Sequence, residues 1–378
     1  MSGLPSKRDS FGSKFGVIAA TAGSAIGLGN IWRFPYVAGE NGGAAFIIIY
    51  LGFIVAIGIP VMLSEFTIGR QAQMNAFGSF RKLAPKRPWY LIGLMGVVAA
   101  FMILAFYSAV AGWTLEYIYQ SILNGFAGKS PEQLDNMYHN FIGGSWRPLL
   151  WFFVFMALTA FIIMAGVQKG IEKYTKILMP LLLVLLLILV IRSISLPGAG
   201  KGIAFLFKPD FSKITASTIL EALGQAFFSL SIGMGTLITY GSYIQKKDNL
   251  GTTAFSVAFS DTFIAILAGL AIFPAVFAFN IEPGSGEGLV YITLPNIFQQ
   301  MPGGYFFSLM FFILLGVAAL TSTISVLEVI VAFFVEELKL KRKAATWLAT
   351  ASVSVLGVMC VLSPSSMADF TMLCFTVF

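Results

Sequence analysis

Long apolar runs recur along almost the whole chain, and they limit more than any other feature how it can fold. Of the 378 residues, 57% are hydrophobic and only 11% are charged. A helix needs roughly 20 apolar residues to cross a bilayer core, and in lipid a helix satisfies its own backbone polar groups. The sequence therefore predicts an all-α integral membrane protein.

Ten candidate spans, numbered one to ten in chain order, follow from these runs. They are about Phe15 to Val37, Ala44 to Gly69, Tyr90 to Leu123, Pro148 to Val167, Ile177 to Ile194, Ile219 to Tyr240, Ala254 to Phe279, Tyr305 to Val335, Ala344 to Leu362, and Met367 to Phe378. The tenth run is too short to cross a bilayer, so we expect the chain to end within helix ten.

The basic residues predict the orientation in the membrane. If the N-terminus is cytoplasmic, seventeen Lys and Arg residues fall on the cytoplasmic side and five on the other; the remaining two of 24, Arg33 and Arg192, lie within or at the ends of spans. This is the positive-inside bias of a multi-pass plasma-membrane protein, here expected in a bacterial inner membrane. Contact with anionic membrane lipid explains the formal charge of +7 without a nucleic-acid partner.

Two similar glycine strings interrupt spans one and six. They are AIGLG at residues 25–29 and SIGMG at residues 231–235. Each glycine weakens a helix by roughly 1 kcal/mol, so the pairs favour local unwinding. With five spans in each half, the halves have opposite orientation. The strings therefore predict an inverted 5+5 repeat, residues 1–195 and 196–378, with helices one and six unwound at mid-membrane. Alternatively, the glycines only let helices pack closely.

The residues around both strings resemble a known family. AGSAIGLGNIWRFPYVAGENGGAAF, Ala22 to Phe46, is similar to the first-helix signature of the neurotransmitter:sodium symporter family, and GQAFFSLSIGMGTLITYGSY, Gly224 to Tyr243, is similar to its sixth helix. ITLPNIF, in the loop after span seven, and ALTSTIS, in span eight, resemble the family as well. The resemblance covers essentially the whole chain and points to the bacterial amino-acid transporter branch. It implies a leucine-transporter-like fold and sodium-coupled secondary symport by alternating access, with no organic cofactor and no enzymatic activity.

The resemblance also implies two Na⁺ sites. The first would use the carbonyl of Ala25, the side chains of Asn30, Ser229 and Asp261, and the carboxylate of the substrate. The second would use the carbonyls of Gly23, Ile26 and Ala318 and the hydroxyls of Thr321 and Ser322. Both sets contain only oxygen ligands, which suit a hard cation.

Asp261 departs from the commonest family pattern, which has asparagine there. In the chloride-dependent members, Tyr50, Gln225 and Ser229 would match chloride ligands together with a serine at the position of Ala265, which is missing here. The carboxylate can supply the negative charge that chloride otherwise provides. We therefore expect chloride-independent transport, with Asp261 taking up a proton when sodium leaves. In the alternative, Asp261 is only a sodium ligand.

The residue at position 27 bears on the substrate class. Amine-transporting relatives have aspartate where this chain has Gly27, so the resemblance favours a substrate with its own carboxylate. The implied pocket positions are Ala25, Leu28, Gly29, Ile103, Tyr107, Phe228, Ser231, Met234, Ser322 and Val326. Tyr107 would bind the carboxylate, and carbonyls near Ala25 and Phe228 would bind the ammonium. The apolar members favour a neutral, hydrophobic L-amino acid, aliphatic or aromatic because Met234 is adaptable.

Four charged residues match the family's gates. Arg33 and Asp369 would form the outer pair, and Arg8 and Glu336, with Tyr243 nearby, the inner pair. Charges at such depths are costly unless they are paired or hydrated, which suits contacts that form and break during a transport cycle.

Two other function classes are alternatives to transport. A nontransporting amino-acid sensor or a channel could use the same fold and site. An intramembrane enzyme would need a catalytic constellation, but the single histidine, His139, lies in a polar loop and the sequence has no HExxH motif.

Overall fold

The computed structural model describes residues 9–279 and 286–366, with side chains through residue 363. Throughout these ranges the regular structure is helical and contains no strand. The spans are Lys14–Ala25 with Gly29–Glu40 (one), Ala44–Ala72 (two), Tyr90–Ile122 (three), Trp146–Met164 (four), Val167–Ile194 (five), Ala216–Ser229 with Thr236–Gly241 (six), Leu250–Ala278 (seven), Gly304–Glu337 (eight) and Arg342–Ser366 (nine). Shorter helices connect them at Ala76–Leu83, Pro131–Ile142, Gly200–Phe207 and Leu294–Gln300. The predicted span ten, 367–378, lies outside the described residues.

The long helices confirm a multi-pass membrane protein. Within the described ranges, seven helices are long and apolar enough to cross a bilayer, and the two halves of span one form a further, bent pair with an angle of 53°. Span six is divided into halves of 14 and 6 residues, each too short to cross alone.

Both glycine strings are unwound, as the sequence predicts. In span one, Ile26 leaves the helical region with ψ 106°, and the helix resumes at Gly29. In span six, Ser231, Gly233 and Gly235 have φ of 56°, 84° and 75°. Glycine adopts such positive φ values without steric cost, whereas Ser231 does so only because its surroundings hold it there.

Two details differ from the sequence-based prediction. Span four ends at Met164, and span five begins at Val167, ten residues before the predicted Ile177. The first turns of span five are polar, so apolar length does not mark them, but they contact the N-terminal segment through Glu172. The connection after span seven is helical over Leu289–Thr293 and Leu294–Gln300, not an irregular loop. The division of the chain into repeats at residue 195 stays a prediction.

Span eight forms the centre of the structure. In its most apolar window 83% of the residues are buried inside the protein, against 28% in span five, which turns much of its surface outward. Spans two and six approach closely through Gly241, where an added Cβ would lie 2.8 Å from the carbonyl oxygen of Phe66. Backbone contact at this point fixes the second half of span six against span two.

We predict that Gly241→Ala destabilises the protein, because backbone atoms must move to admit the methyl group. The expected loss is about 1–3 kcal/mol, as for other overpacked sites. Gly224→Ala, in the same span, is the matched control, since no atom lies within 4 Å of an added Cβ there. The unfolding temperatures of both variants are measured in detergent. Equal midpoints would contradict the close backbone contact between spans two and six at Gly241.

Candidate functional site

Asn30 connects the break in span one to spans six and seven. Its side-chain oxygen accepts a hydrogen bond from the Gly27 N–H at 3.0 Å, which satisfies an amide that the helix break leaves free. Its Nδ2 lies 2.7 Å from Oδ1 of Asp261, 3.1 Å from the Asp261 carbonyl and 3.2 Å from the Ser229 hydroxyl. One amide therefore holds three segments together at the break.

Asp261 is a fully buried carboxylate held by three donors. Besides Asn30, the hydroxyls of Ser229 and Tyr50 donate to its Oδ2 at 2.7 and 3.3 Å. The side chains predicted for the first sodium site, Asn30, Ser229 and Asp261, thus lie within hydrogen-bonding distance of one another. Such a cluster of oxygens with one carboxylate is suited to a small hard cation.

A second group of oxygens lies between the break in span one and span eight. The hydroxyl of Thr321 is 3.4 Å from the carbonyl of Ile26 and 3.0 Å from that of Ala318, and the hydroxyl of Ser322 is 3.3 Å from the Ile26 carbonyl. Gly23 is adjacent, because a Cβ there would lie 3.3 Å from Cβ of Thr321. The structure therefore brings together the five residues predicted for the second sodium site.

A small cavity lies between the two breaks. Its lining is Ser24, Ala25, Gly27, Gly29, Ile103, Tyr107, Phe228, Ser231, Met234, Ser322 and Val326. Every predicted pocket residue lines it except Leu28, which lies above it in a second cavity. Ser24 and Gly27 were not among the predicted pocket residues. The Ser24 carbonyl accepts hydrogen bonds from the hydroxyls of Ser231 and Ser322 at 3.1 and 3.3 Å.

Backbone groups and small residues shape one end of this cavity. The Leu28 N–H donates to the hydroxyl oxygen of Tyr107 at 2.7 Å. A Cβ at Gly27 would collide with the hydroxyl of Ser322 and lie 2.5 Å from that of Tyr107. An aspartate at position 27 therefore does not fit this arrangement. A Cβ at Gly29 would lie 2.8 Å from the Phe228 ring, so a larger residue at this position would require the ring to move.

A larger cavity, which we call the vestibule, adjoins the first. It is lined by Leu28, Gly29, Trp32, Arg33, Tyr36, Ile103, Phe106, Tyr107, Val110, Phe228 and Glu287. Four of these residues also line the inner cavity, so Tyr107 and Phe228 lie at the boundary between the two. Arg33 lies 5.4 Å from the centre of the Phe228 ring and donates to Gln225 at 2.5 Å. Its predicted partner Asp369 lies outside the described residues.

The opposite end of the site is covered by the N-terminal segment, residues 9–13. Phe11 is fully buried, and its ring packs against those of Tyr240 and Tyr243 at 5.7 and 6.0 Å. The buried carboxylate of Glu172 accepts from the Gly12 N–H at 2.6 Å and the Ser13 hydroxyl at 2.9 Å. In the described part of the chain, the inner cavity is therefore covered at this end and adjoins the vestibule at the other.

Acidic residues of span eight hold further groups at this end. Tyr243 donates to Glu328 at 2.7 Å, and Arg342 pairs with the same buried carboxylate at 2.6 Å. Glu336 accepts from the backbone and side-chain amides of Asn75 at 2.7 and 3.0 Å. Arg8, the predicted partner of Glu336, lies outside the described residues. Glu328 lies inside an apolar span, so the sequence predicts a buried hydrogen-bonding residue there, and its contacts fit that prediction. The sequence gives no such prediction for Glu172 or Arg342; for Glu172, the available signal was an acidic residue beside an apolar span.

Glu65 supports the break in span six. Its Oε1 accepts the N–H of Gly233 at 2.8 Å, and the residue is buried in span two. The glutamate therefore satisfies an amide that the unwound string would otherwise leave unpaired. An acidic residue within an apolar span is expected to be a buried hydrogen-bonding residue, but the sequence does not show which group is its partner.

Comparison with known proteins gives a consistent result. The model of the sodium:neurotransmitter symporter family matches residues 8–139 and 136–377. The chain is 42% identical over 357 residues to the uncharacterized sodium-dependent transporter YhdH of Bacillus subtilis, covering 94% of this chain and 79% of that protein. It is 40% identical over 361 residues to a sodium-dependent transporter of Haemophilus influenzae, covering 93% and 79%.

A solved structure is also similar. The crystal structure of MhsT in complex with L-phenylalanine matches with a TM-score of 0.90 and 50% sequence identity, covering 96% of this chain and 82% of that one. The family match extends over nearly the whole sequence, and the proteins that it unites are transporters, not enzymes. The chain therefore belongs to the sodium:neurotransmitter symporter family.

Proposed function

We propose that this protein is a sodium-coupled symporter for a neutral, hydrophobic L-amino acid. The observation that carries the proposal is the inner cavity between two helix breaks, with a group of oxygen ligands on each side of it. Family membership and the sodium-dependent relatives support sodium as the coupling ion. The L-phenylalanine bound to MhsT supports the amino-acid class of the substrate.

The polar groups of the cavity suit a zwitterion. Tyr107 and the backbone amides near Leu28 are donors for a carboxylate, and the helix that restarts at Gly29 directs the positive end of its dipole to the same place. Carbonyls near Ala25 and Phe228 would accept from the ammonium group. Gly27 leaves no room for the aspartate that an amine substrate would need.

The remaining walls suit an apolar side chain. Ile103, Phe228, Met234 and Val326 contribute hydrocarbon surface, and all four line the cavity. Burying a large apolar side chain against such surface is favourable by roughly 1.5–3 kcal/mol. Met234 can change shape with little cost, so the same walls accept branched aliphatic and aromatic side chains.

Coupling follows from shared ligands. A sodium ion at Asn30, Ser229 and Asp261 would also take the substrate carboxylate as a ligand. Bound sodium would then raise the affinity of the protein for substrate, and bound substrate would raise its affinity for sodium by the same factor. A sodium ion at Ile26, Thr321 and Ser322 would connect the break in span one to central span eight. Alternating access then requires that spans one, two, six and seven move relative to the remaining spans.

Asp261 takes the place of chloride in this proposal. Two of the positions that match chloride ligands, Tyr50 and Ser229, donate to its carboxylate, and Ala265 has no hydroxyl. A unit negative charge about 4 Å from a cation is worth on the order of 4 kcal/mol at an effective dielectric constant of about 20. Protonation of Asp261 after sodium release would keep a bare charge out of the emptied site.

Uptake into proteoliposomes tests the function directly. With an inward sodium gradient we expect L-phenylalanine to accumulate above its external concentration, and with potassium replacing sodium we expect no accumulation. Counterflow separates the alternatives, because a sensor binds without exchanging substrate and a channel equilibrates without concentrating it. Accumulation that persists in potassium would refute sodium coupling.

Thr321→Val tests the second sodium site with almost no change in shape. Loss of one hydroxyl ligand is expected to raise the sodium concentration for half-maximal binding of L-phenylalanine roughly tenfold or more. Thr323→Val is the matched control, because Thr323 is buried in the same helix but faces Thr159 in span four. A scintillation-proximity titration with sodium measures both, and an equal shift in the two variants would argue against the assignment.

Chloride dependence tests the role of Asp261. Replacing chloride by gluconate should leave uptake unchanged in the unaltered protein. Asp261→Asn should lose uptake, because the compensating charge is gone, and the double variant Asp261→Asn with Ala265→Ser should recover uptake only when chloride is present. A large loss of uptake by the unaltered protein in gluconate would disprove chloride independence.

A further inference from the structure

A crevice between spans five, seven and eight lies apart from the proposed transport site. It is a narrow space, and the short helix Leu294–Gln300 closes it at one end. It lies at the end of span five and the start of span eight, the face opposite the N-terminal segment. Most of its walls are apolar, including Ile272, Phe307 and Phe311, but two residues of span five, Arg192 and Ser193, bring polar groups into it.

Arg192 is incompletely satisfied at this position. Its NH1 and NH2 groups lie 3.5 Å from the Ser195 hydroxyl and the Pro302 carbonyl, at the outer limit of hydrogen bonding. Its Nε is buried and has no partner among the described residues. Nor does any carboxylate of the described ranges form an ion pair with it. The guanidinium lies 5.6 Å from the centre of the Phe307 ring.

Ser193 adds a second polar group with no partner. The residue is only 2% exposed, it lines the crevice, and its hydroxyl has no hydrogen-bond partner in the described part of the chain. A buried hydroxyl without a partner costs roughly 1–3 kcal/mol. A guanidinium and a hydroxyl from adjacent residues therefore offer several unused donors, which suits a ligand rich in acceptor oxygens.

The surroundings place these donors at the level of lipid headgroups. Tyr305 and Phe306, at the start of span eight, are exposed, as aromatic residues at a membrane interface commonly are. Span five continues from Arg192 toward the bilayer centre with an outward apolar face that includes Ile191, 64% exposed, and Ile188. A ligand held at Arg192 by its polar end can lay hydrocarbon chains along this face.

We propose that the crevice binds an anionic glycerophospholipid, with its phosphate on Arg192 and Ser193 and its acyl chains along span five. Phosphate oxygens can accept the donors that the protein leaves unused, and the planar guanidinium pairs with phosphate in a two-point geometry. An anionic headgroup is favoured over a zwitterionic one because no carboxylate of the described residues neutralises Arg192 here. This site is independent of the proposed substrate and of sodium coupling.

Lipid binding to the purified full chain tests the proposal. After delipidation in detergent, phosphatidylglycerol is titrated while bound lipid is counted by native mass spectrometry and the unfolding midpoint is recorded. We expect phosphatidylglycerol to bind and raise the midpoint, and Arg192→Gln to need at least about tenfold more lipid for the same effect. Lys201→Gln is the matched control, because Lys201 is an exposed cation in the short helix that follows span five.

Further measurements distinguish an anionic lipid in the crevice from a zwitterionic lipid or a free phosphate ion. Phosphatidylethanolamine should bind more weakly than phosphatidylglycerol, and inorganic phosphate alone should not raise the midpoint. Ser193→Ala, a small change that the fold should tolerate, is expected to weaken lipid binding several-fold and covers the case in which Arg192→Gln fails to fold. Equal phosphatidylglycerol binding by the unaltered protein and by either Arg192→Gln or Ser193→Ala would overturn the site. Stabilisation by inorganic phosphate alone would replace the lipid with a free ion and equally overturn it.

Discussion

A helix that is broken inside a membrane leaves backbone amides and carbonyls without partners, and the rest of this site depends on how they are satisfied. Unsatisfied backbone groups in hydrocarbon cost several kcal/mol each, so irregular backbone survives there only when protein groups or a polar cavity receive it. Asn30 and Tyr107 accept the free amides of the first break, and Glu65 accepts one from the second. Carbonyls at Ser24 and Ile26 accept hydrogen bonds from the hydroxyls of Ser231 and Thr321, and the proposed substrate and sodium ion would replace these bonds.

The charged groups divide into two kinds of environment. Asp261 and Glu328 are fully buried, and donors from several helices surround each of them. Such carboxylates hold separate helices in register. Removing one partner leaves a buried charge unpaired, which destabilises the protein by more than the intact pair stabilises it. Arg33 lies in the open vestibule, where water can reach it, so its contacts can change with little penalty. This difference suits the proposed function, in which a fixed binding site has a movable closure on its vestibule side.

The two ends of the inner cavity are not alike. The N-terminal segment is docked on Tyr243 and Glu172, whereas the vestibule reaches Tyr107 and Phe228. In the proposed transport cycle, access to the cavity would change when the N-terminal segment leaves Glu172 and Tyr107 and Phe228 close over the cavity. The crevice at Arg192 lies between span seven, which would move, and spans five and eight, which would not. A lipid there would contact both parts of the mechanism without touching the substrate.

The sequence by itself determined the all-helical membrane fold, the two unwound strings and the grouping of most pocket residues, because apolar length and glycine position act locally and the family signature is specific. It did not determine that Glu65 meets Gly233, that Arg342 pairs with Glu328, or that Glu172 holds the N-terminal segment. These partners are separated by 168, 14 and 160 residues. A polar residue in an apolar span predicts that a hydrogen-bond partner lies nearby in the fold. Which donor comes within about 3 Å of it is decided only by the packing of the helices.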